Sequence, residues 1–270
     1  MDKIIGFIGT GNMGSALVKA VSKSYNPENI YLSNKPEDLA LNLANEIGAT
    51  FSSNEEIAKK ANYIFLGVKP QMMKELLDSV KDIFAKRQDR FILVTMAAGV
   101  TLKSISDMAG GDYPVIRIMP NTPVMIGKGM VLVTKNDVVT DDELKFFYDI
   151  MSKSGELDYI EEDLIDAGCA VSGCGPAFLY MFAENLAKGG EKCGLSYEKA
   201  LKYATETIIG SAGMIKETGV SPEELKQNVM SPGGSTVEGV KTLDNGGFNE
   251  TVIDAVVKAY NRTKELGRNK

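Results

Sequence analysis

Lys3-Ile4-Ile5-Gly6-Phe7-Ile8-Gly9-Thr10-Gly11-Asn12-Met13-Gly14 decides the fold of this chain. Lys3 to Ile8 is a short apolar run that reads as a strand. Asn12 to Lys23 places Ala16, Leu17, Ala20 and Val21 on one helical face. Between them lies a GxGxxG run. Strand, glycine turn and helix in that order are what a dinucleotide-binding fingerprint requires. Gly9 makes the tight turn, Gly11 lets a pyrophosphate reach the backbone, and Gly14 lets helix and strand pack closely. A glycine-rich turn in a cofactor-free α/β domain is the alternative.

Outward from this stretch, strand-like and helix-like segments alternate. Strands are expected at Asn29–Ser33, Tyr63–Val68, Arg90–Thr95, Pro114–Met119 and Gly127–Thr134, with helices over 36–47, 54–61 and 71–86. Thr140-Asp141-Asp142-Glu143 reads as a capped helix start. Alternation of this kind predicts an α/β fold with a mostly parallel, doubly wound sheet. After about residue 160 the strand signals stop, and helices are expected over 161–193, 196–218, 221–230, 236–244 and 249–266. Two domains follow: residues 1–160, a dinucleotide-binding Rossmann domain, and residues 161–270, an all-α domain. The long apolar faces of 196–218 and 249–266 exceed what ~110 residues can bury alone, so the helical domain is expected to complete its core against a second copy.

Composition narrows the function. The 270 residues carry 36 acids against 30 bases, a net charge of −6, which argues against a nucleic-acid binder or a polybasic membrane anchor. No single apolar run reaches the length of a membrane span. Met1-Asp2-Lys3 leads straight into a strand-like segment, so no signal peptide is expected. Cys169, Cys174 and Cys193 are odd in number and lack CxxC spacing, which fits free thiols in a reducing, cytoplasmic compartment. There is no histidine, which removes the commonest general base and histidine-based metal sites. No metal site is expected.

Open α/β sheets bind ligands at the carboxyl ends of their strands. At the end of the second strand, where an NAD enzyme carries an acid for the ribose, this chain has Ser33-Asn34-Lys35. That points to NADP(H), with NAD(H) as the other candidate; a solvated turn is the bland reading. Gly67-Val68-Lys69-Pro70 and Ala97-Ala98-Gly99 are small-residue turns at further strand ends, with room for a nicotinamide ring. Ser172-Gly173-Cys174-Gly175-Pro176-Ala177 interrupts a long helix, for close approach either of a neighbouring helix or of a ligand. Cys174 has no histidine to activate it as a nucleophile. Finally, Ser231-Pro232-Gly233-Gly234-Ser235-Thr236-Val237-Glu238 leads two glycines into a Ser-x-x-Glu capping box. It reads either as a well-capped surface helix or as an anion site at a helix N-terminus.

Taken in order, Phe7–Gly14, Val68-Lys69-Pro70-Gln71, Ala97-Ala98-Gly99-Val100, Arg117–Pro123, Ser172–Phe178 and Ser231–Thr236 resemble the pyrroline-5-carboxylate reductase family over nearly the whole chain. The resemblance implies reduction of the cyclic imine 1-pyrroline-5-carboxylate to L-proline by NAD(P)H, the last step of proline biosynthesis, in a dimer or higher homo-oligomer. It implies cofactor contacts at Ile8, Gly9, Thr10, Gly11, Asn12 and Met13, at Ser33, Asn34 and Asn54, at Gly67 to Pro70, at Met96, Ala97 and Ala98, and at Asn228. Gly14 and Lys35 join this set from the fingerprint and charge arguments above. The substrate carboxylate would rest on Gly233, Gly234, Ser235 and Thr236. Thr236 is the candidate to orient or protonate the ring nitrogen. Cys174 stands where a second serine is common in the family, and Ser235 where threonine or alanine often stands.

Hydride transfer to an imine needs a positioned nicotinamide and an anchored substrate. The proton for the nitrogen can come from water, so the missing histidine is tolerable. A hydroxyacid dehydrogenase of the β-hydroxyisobutyrate or 6-phosphogluconate type shares the fingerprint, but it needs a catalytic lysine on an early helix of the second domain. Lys188 and Lys192 lie there without a matching motif. A non-catalytic NADP-binding sensor is the third reading.

Overall fold

The computed structural model describes residues 2–268. Eight strands form one sheet: β1 (Ile5–Ile8), β2 (Ile30–Ser33), β3 (Thr50–Phe51), β4 (Tyr63–Leu66), β5 (Ile92–Thr95), β6 (Val115–Pro120), β7 (Gly129–Lys135) and β8 (Gly155–Tyr159). Their order is β3-β2-β1-β4-β5-β6-β7-β8. β6 and β7 pair antiparallel, and the remaining neighbours are parallel. β1, β4, β5 and β6 are buried along their whole length, as strands covered on both faces must be. The order turns outward between β1 and β4, and the crevice at their carboxyl ends is where such sheets bind ligands.

Helices α1 (Asn12–Val21), α2 (Glu37–Ile47), α3 (Asn54–Lys60), α4 (Met73–Phe84), α5 (Leu102–Ala109) and α6 (Asp141–Met151) supply the cover. Leu17 and Val21 of α1, Leu43 of α2 and Phe147 of α6 pack on one face of the sheet with Phe7 and Phe65. Ile57 of α3, Leu77 of α4 and Ile105 of α5 pack on the other with Ile64 and Leu93. The Thr140–Glu143 capping box forms as the spacing predicts. Neither β3 nor β8 stands out in the sequence. β3 has two residues, and β8, with exposed Glu156, is a charged edge strand of the kind that resists edge-to-edge pairing.

The strands end at Tyr159, and the sheet-containing unit runs on to Cys174, with the chain from Ala259 returning to it; Gly175–Lys258 form a second unit. A short helix α7 (Ile165–Gly168) leads through a π-helical turn at Cys169–Gly173 into α8 (Gly175–Lys192). Because Ser172 to Gly175 does not end the helix, Glu162–Lys192 becomes one run long and apolar enough to cross a membrane by length and composition. This corrects the expectation that no run reaches that length.

The second unit holds α8, α9 (Tyr197–Thr218), α10 (Pro222–Val229), α11 (Ser235–Asn245) and the first half of α12 (Phe248–Arg268). Ser196 and Ser221 cap α9 and α10, and Pro222 occupies the first position of α10. Within this unit, only Ala187, Ala200 and Ala204 are buried among the described hydrophobic residues, whereas Tyr180, Met181 and Ile209 are more than 60% exposed. Apolar surface of this extent marks an association face.

Candidate active site

The glycine turn after β1 is built by mutual exclusion. Gly9 has φ +99°, a left-handed conformation that side chains resist, and a Cβ there would sit 2.6 Å from the Gly67 carbonyl oxygen. Cβ atoms on Gly14 or Gly67 would each fall well under 3.0 Å from the Gly9 carbonyl oxygen. The three glycines therefore let the ends of β1 and β4 and the start of α1 meet backbone to backbone. Gly11 differs: a Cβ there would meet nothing within 4 Å. It is the N-cap of α1 and has no side chain to satisfy the first N–H groups, which include those of Asn12, Met13 and Gly14. Open space against unpaired N–H groups and a positive helix end is a cradle for a diphosphate.

The end of β2 is fastened to this turn. Asn34 Oδ1 accepts from the Thr10 N–H at 2.8 Å, and its Nδ2 donates to the Pro36 carbonyl at 2.9 Å. Ser33 Oγ donates to Asn54 Oδ1 at 2.7 Å. Asn34, Lys35 and Asn54 line a cleft of about 230 Å³ together with Ile8, Gly9, Gly11, Gly67, Val68 and Lys69. Thr10 is buried beside it, and its Oγ1 has no hydrogen-bond partner among the described residues. Ser33 is buried behind Asn54, and Pro70 opens the 3-10 turn that leads to α4. One acid absent from the linear reading stands nearby. Glu55, in the first turn of α3, has its carboxyl lowered by its own backbone N–H first, then by the Ser53 hydroxyl, with the Lys35 charge adding to both.

Met96, Ala97 and Ala98 form a turn at the end of β5. The Ala97 N–H donates to Thr95 Oγ1 at 3.4 Å, and Ala98 packs against the small cluster of Met119, Leu132, Ile165 and Cys169. Burial first, and the neighbouring Cys174 second, push the Cys169 thiol up to about 11, which leaves it inert as a nucleophile.

Asn228 and the Ser231–Thr236 loop belong to the helical unit. Asn228 is exposed near the end of α10. The Gly234 N–H donates to the Ser231 carbonyl at 2.9 Å, with Pro232 at the second corner and Gly233 at φ +72° in the third, the arrangement of a type II turn. A Cβ on Gly234 would collide with Ser231 Oγ at 2.6 Å. The expected Ser235–Glu238 capping box does not form. Gly234 is the N-cap, Ser235 is already helical, and Glu238 pairs with Lys241 at 3.0 Å. The turn starts the helix one residue earlier than the pattern implies. As a result the α11 N-terminus has no side-chain cap, and among the described residues the Ser235 and Thr236 hydroxyls have no hydrogen-bond partner. Its N–H groups and two hydroxyls are available to an anion.

Of the two lysines open to the hydroxyacid-dehydrogenase reading, Lys188 is otherwise engaged. Lys188 pairs with Glu184 at 2.7 Å, which raises its pKa, the wrong direction for a proton acceptor at neutral pH. Arg117 and Glu162 are residues that sequence reasoning did not single out as functional. Arg117 is fully buried in β6, with Nη2 2.7 Å from Asp166 and Nη1 3.3 Å from Glu162. Its signal is a charge inside the apolar run Val115-Ile116-Arg117-Ile118-Met119, which demands buried partners.

Residues 162–266 match the family described as pyrroline-5-carboxylate reductase dimerisation, and residues 4–99 match NADP oxidoreductase coenzyme F420-dependent. The chain is 36% identical to a pyrroline-5-carboxylate reductase of Aquifex aeolicus over 97% of each protein. It is also 36% identical to that of Escherichia coli, over 99% of this chain and all of the other. Among solved structures, the Plasmodium falciparum pyrroline carboxylate reductase with NADP bound superposes with a TM-score of 0.87 at 31% identity, covering 98% of both chains.

Proposed function

The chain belongs to the pyrroline-5-carboxylate reductase family, and on that premise we propose how its residues divide the work. The reaction is reduction of 1-pyrroline-5-carboxylate to L-proline, in proline biosynthesis, at the expense of a nicotinamide cofactor. The protein self-associates through its helical region.

The reading of the cofactor site is carried by the open space over Gly11 at the uncapped start of α1. There the N–H groups of Asn12 to Gly14 hold the diphosphate. Asn34, Lys35 and Asn54 hold the adenosine ribose, with Lys35 as the cation for a 2′-phosphate, so NADPH is preferred over NADH. Val68, Lys69 and Pro70 flank the adenosine, and Met96, Ala97 and Ala98 form the wall for the nicotinamide. The bound cofactor supplies a hydride. In the helical unit, Gly233 and Gly234 open the N-terminus of α11 to the substrate carboxylate, and Ser235 adds its hydroxyl. The Thr236 hydroxyl orients the ring nitrogen and helps it accept its proton, and Asn228 serves the cofactor. The assembly is a dimer or a higher homo-oligomer, since the exposed apolar faces of α8, α9 and α12 need a partner surface. That partner surface, rather than a bilayer, takes up the exposed apolar face of α8 within the run at 162–192. The three unpaired cysteines, one of them the exposed Cys193, support the reading of a protein of the reducing cytoplasm.

Steady-state reduction of pyrroline-5-carboxylate with NADPH and NADH side by side tests this reading. A higher kcat/KM with NADPH is expected. A strong preference for NADH would show that Lys35 points into solvent.

A further inference from the structure

On β6, side chains alternate between the two faces of the sheet. Val115 belongs to the core under α5, and Met119 to the small cluster under α7. Arg117 lies between them on the same face, at the seam of two apolar cores. Its register partners are Thr95 on β5 and Thr134 on β7, both buried, so a polar row crosses three strands beneath the Met96–Ala98 turn.

The guanidinium is held by two carboxylates that share it unequally. Asp166 lies closer, at 2.7 Å, and Glu162 lies at 3.3 Å. The same Glu162 Oε1 accepts from the Leu102 N–H at 2.7 Å. Leu102 is the first residue of α5, and the segment before it is the turn from Met96 to Thr101. Thr101 caps the helix separately through the Ser104 N–H. That cap satisfies the Ser104 N–H alone, so the Leu102 N–H takes a separate acceptor, and it comes from sixty residues away. That acceptor, anchored on a buried arginine, ties the far end of the turn to β6, while Ala98 ties its near end to Met119 and Ile165.

We propose that Glu162 is a positioning residue for the known reaction: through the Leu102 N–H it fixes the Met96–Thr101 turn, and so sets where the nicotinamide ring rests. The proposal rests on the reading of that turn as the nicotinamide wall. Two conservative variants separate it from a merely structural ion pair. Glu162→Gln keeps an oxygen acceptor at the same reach, and Asp166 still compensates Arg117. Glu162→Asp keeps the charge but withdraws it from Leu102 by one methylene. Positioning predicts that Glu162→Asp loses kcat about tenfold, the scale of a small misplacement of reacting groups. NADPH affinity by fluorescence titration stays within about twofold, since the dinucleotide is held mainly at the Gly9–Gly14 turn. Glu162→Gln stays within about threefold of wild-type kcat. Amide exchange over Val100–Ser104 quickens in Glu162→Asp only. A structural charge pair predicts the reverse order, with Gln the damaged variant. That reversal, or full kcat in Glu162→Asp, overturns the proposal. Amide exchange of wild type with and without NADP⁺ tests the underlying reading separately: no protection over 96–101 would show that the turn does not face the cofactor.

Discussion

Gly11 and Gly14 lie three residues apart in one turn, yet the same substitution should damage them in opposite ways. In Gly11→Ala the new methyl meets no protein atom within 4 Å, and the backbone at φ −66°, ψ −169° is open to alanine. Alanine is the poorer N-cap by roughly 0.5–1 kcal/mol. It also restricts the unfolded chain by about 0.4–1 kcal/mol in the other direction. Stability should be nearly unchanged. The methyl instead occupies the space where the diphosphate approaches, and a lost charge-assisted hydrogen bond there costs about 1.5–3 kcal/mol. NADPH affinity should fall roughly ten- to a hundredfold. In Gly14→Ala the methyl runs into the Gly9 carbonyl, a backbone atom that cannot swing aside. Overpacking costs about 1–3 kcal/mol, and alanine's helix propensity returns about 1. A net loss of up to about 2 kcal/mol should lower the Tm by about 4–8 °C. Thermal unfolding without cofactor and NADPH fluorescence titration read the two effects apart. If Gly11→Ala binds NADPH like wild type, the open space over Gly11 is not the diphosphate site.

The remaining expectations concern the cofactor, the substrate and the assembly. Asn34→Asp keeps the acceptor for the Thr10 N–H and adds a charge against a 2′-phosphate, so kcat/KM should shift toward NADH; an unchanged ratio would place the 2′-phosphate elsewhere. Thr236→Ala and Thr236→Val should each lower kcat by about ten- to a hundredfold with NADPH affinity near wild type. Full activity in the valine variant would mean that the proton comes directly from solvent. Sedimentation at micromolar concentration should show a dimer or larger, and a monomer would leave the exposed Tyr180, Met181 and Ile209 unexplained.

The sheet domain is legible in the sequence because its central strands are apolar throughout and its glycine turn follows the first of them. Thr140–Glu143 and Ser221-Pro222 are legible for a related reason: local hydrogen bonds decide them, and the Arg90 ion pair of Glu143 leaves the capping box intact. Ser235 illustrates the limit. The capping-box spacing is present, but a type II turn closed by Ser231 and Gly234 moves the helix start, and only the three-dimensional path reveals it. Glu55 lies near enough to Lys35 to feel its charge, brought there by α3 rather than by sequence. Arg117 announces a buried charge, but its partner Glu162 lies 45 positions away, and nothing local links the two.

The most direct test of the account is to follow the hydride. Pyrroline-5-carboxylate would be incubated with NADPH deuterated at the transferable position of the nicotinamide, and the product examined by mass spectrometry and NMR. The account predicts L-proline carrying one deuterium on the ring carbon of the former C=N bond, with one NADPH consumed per proline formed. Proline without deuterium at that carbon, or NADPH consumed without proline, would contradict it.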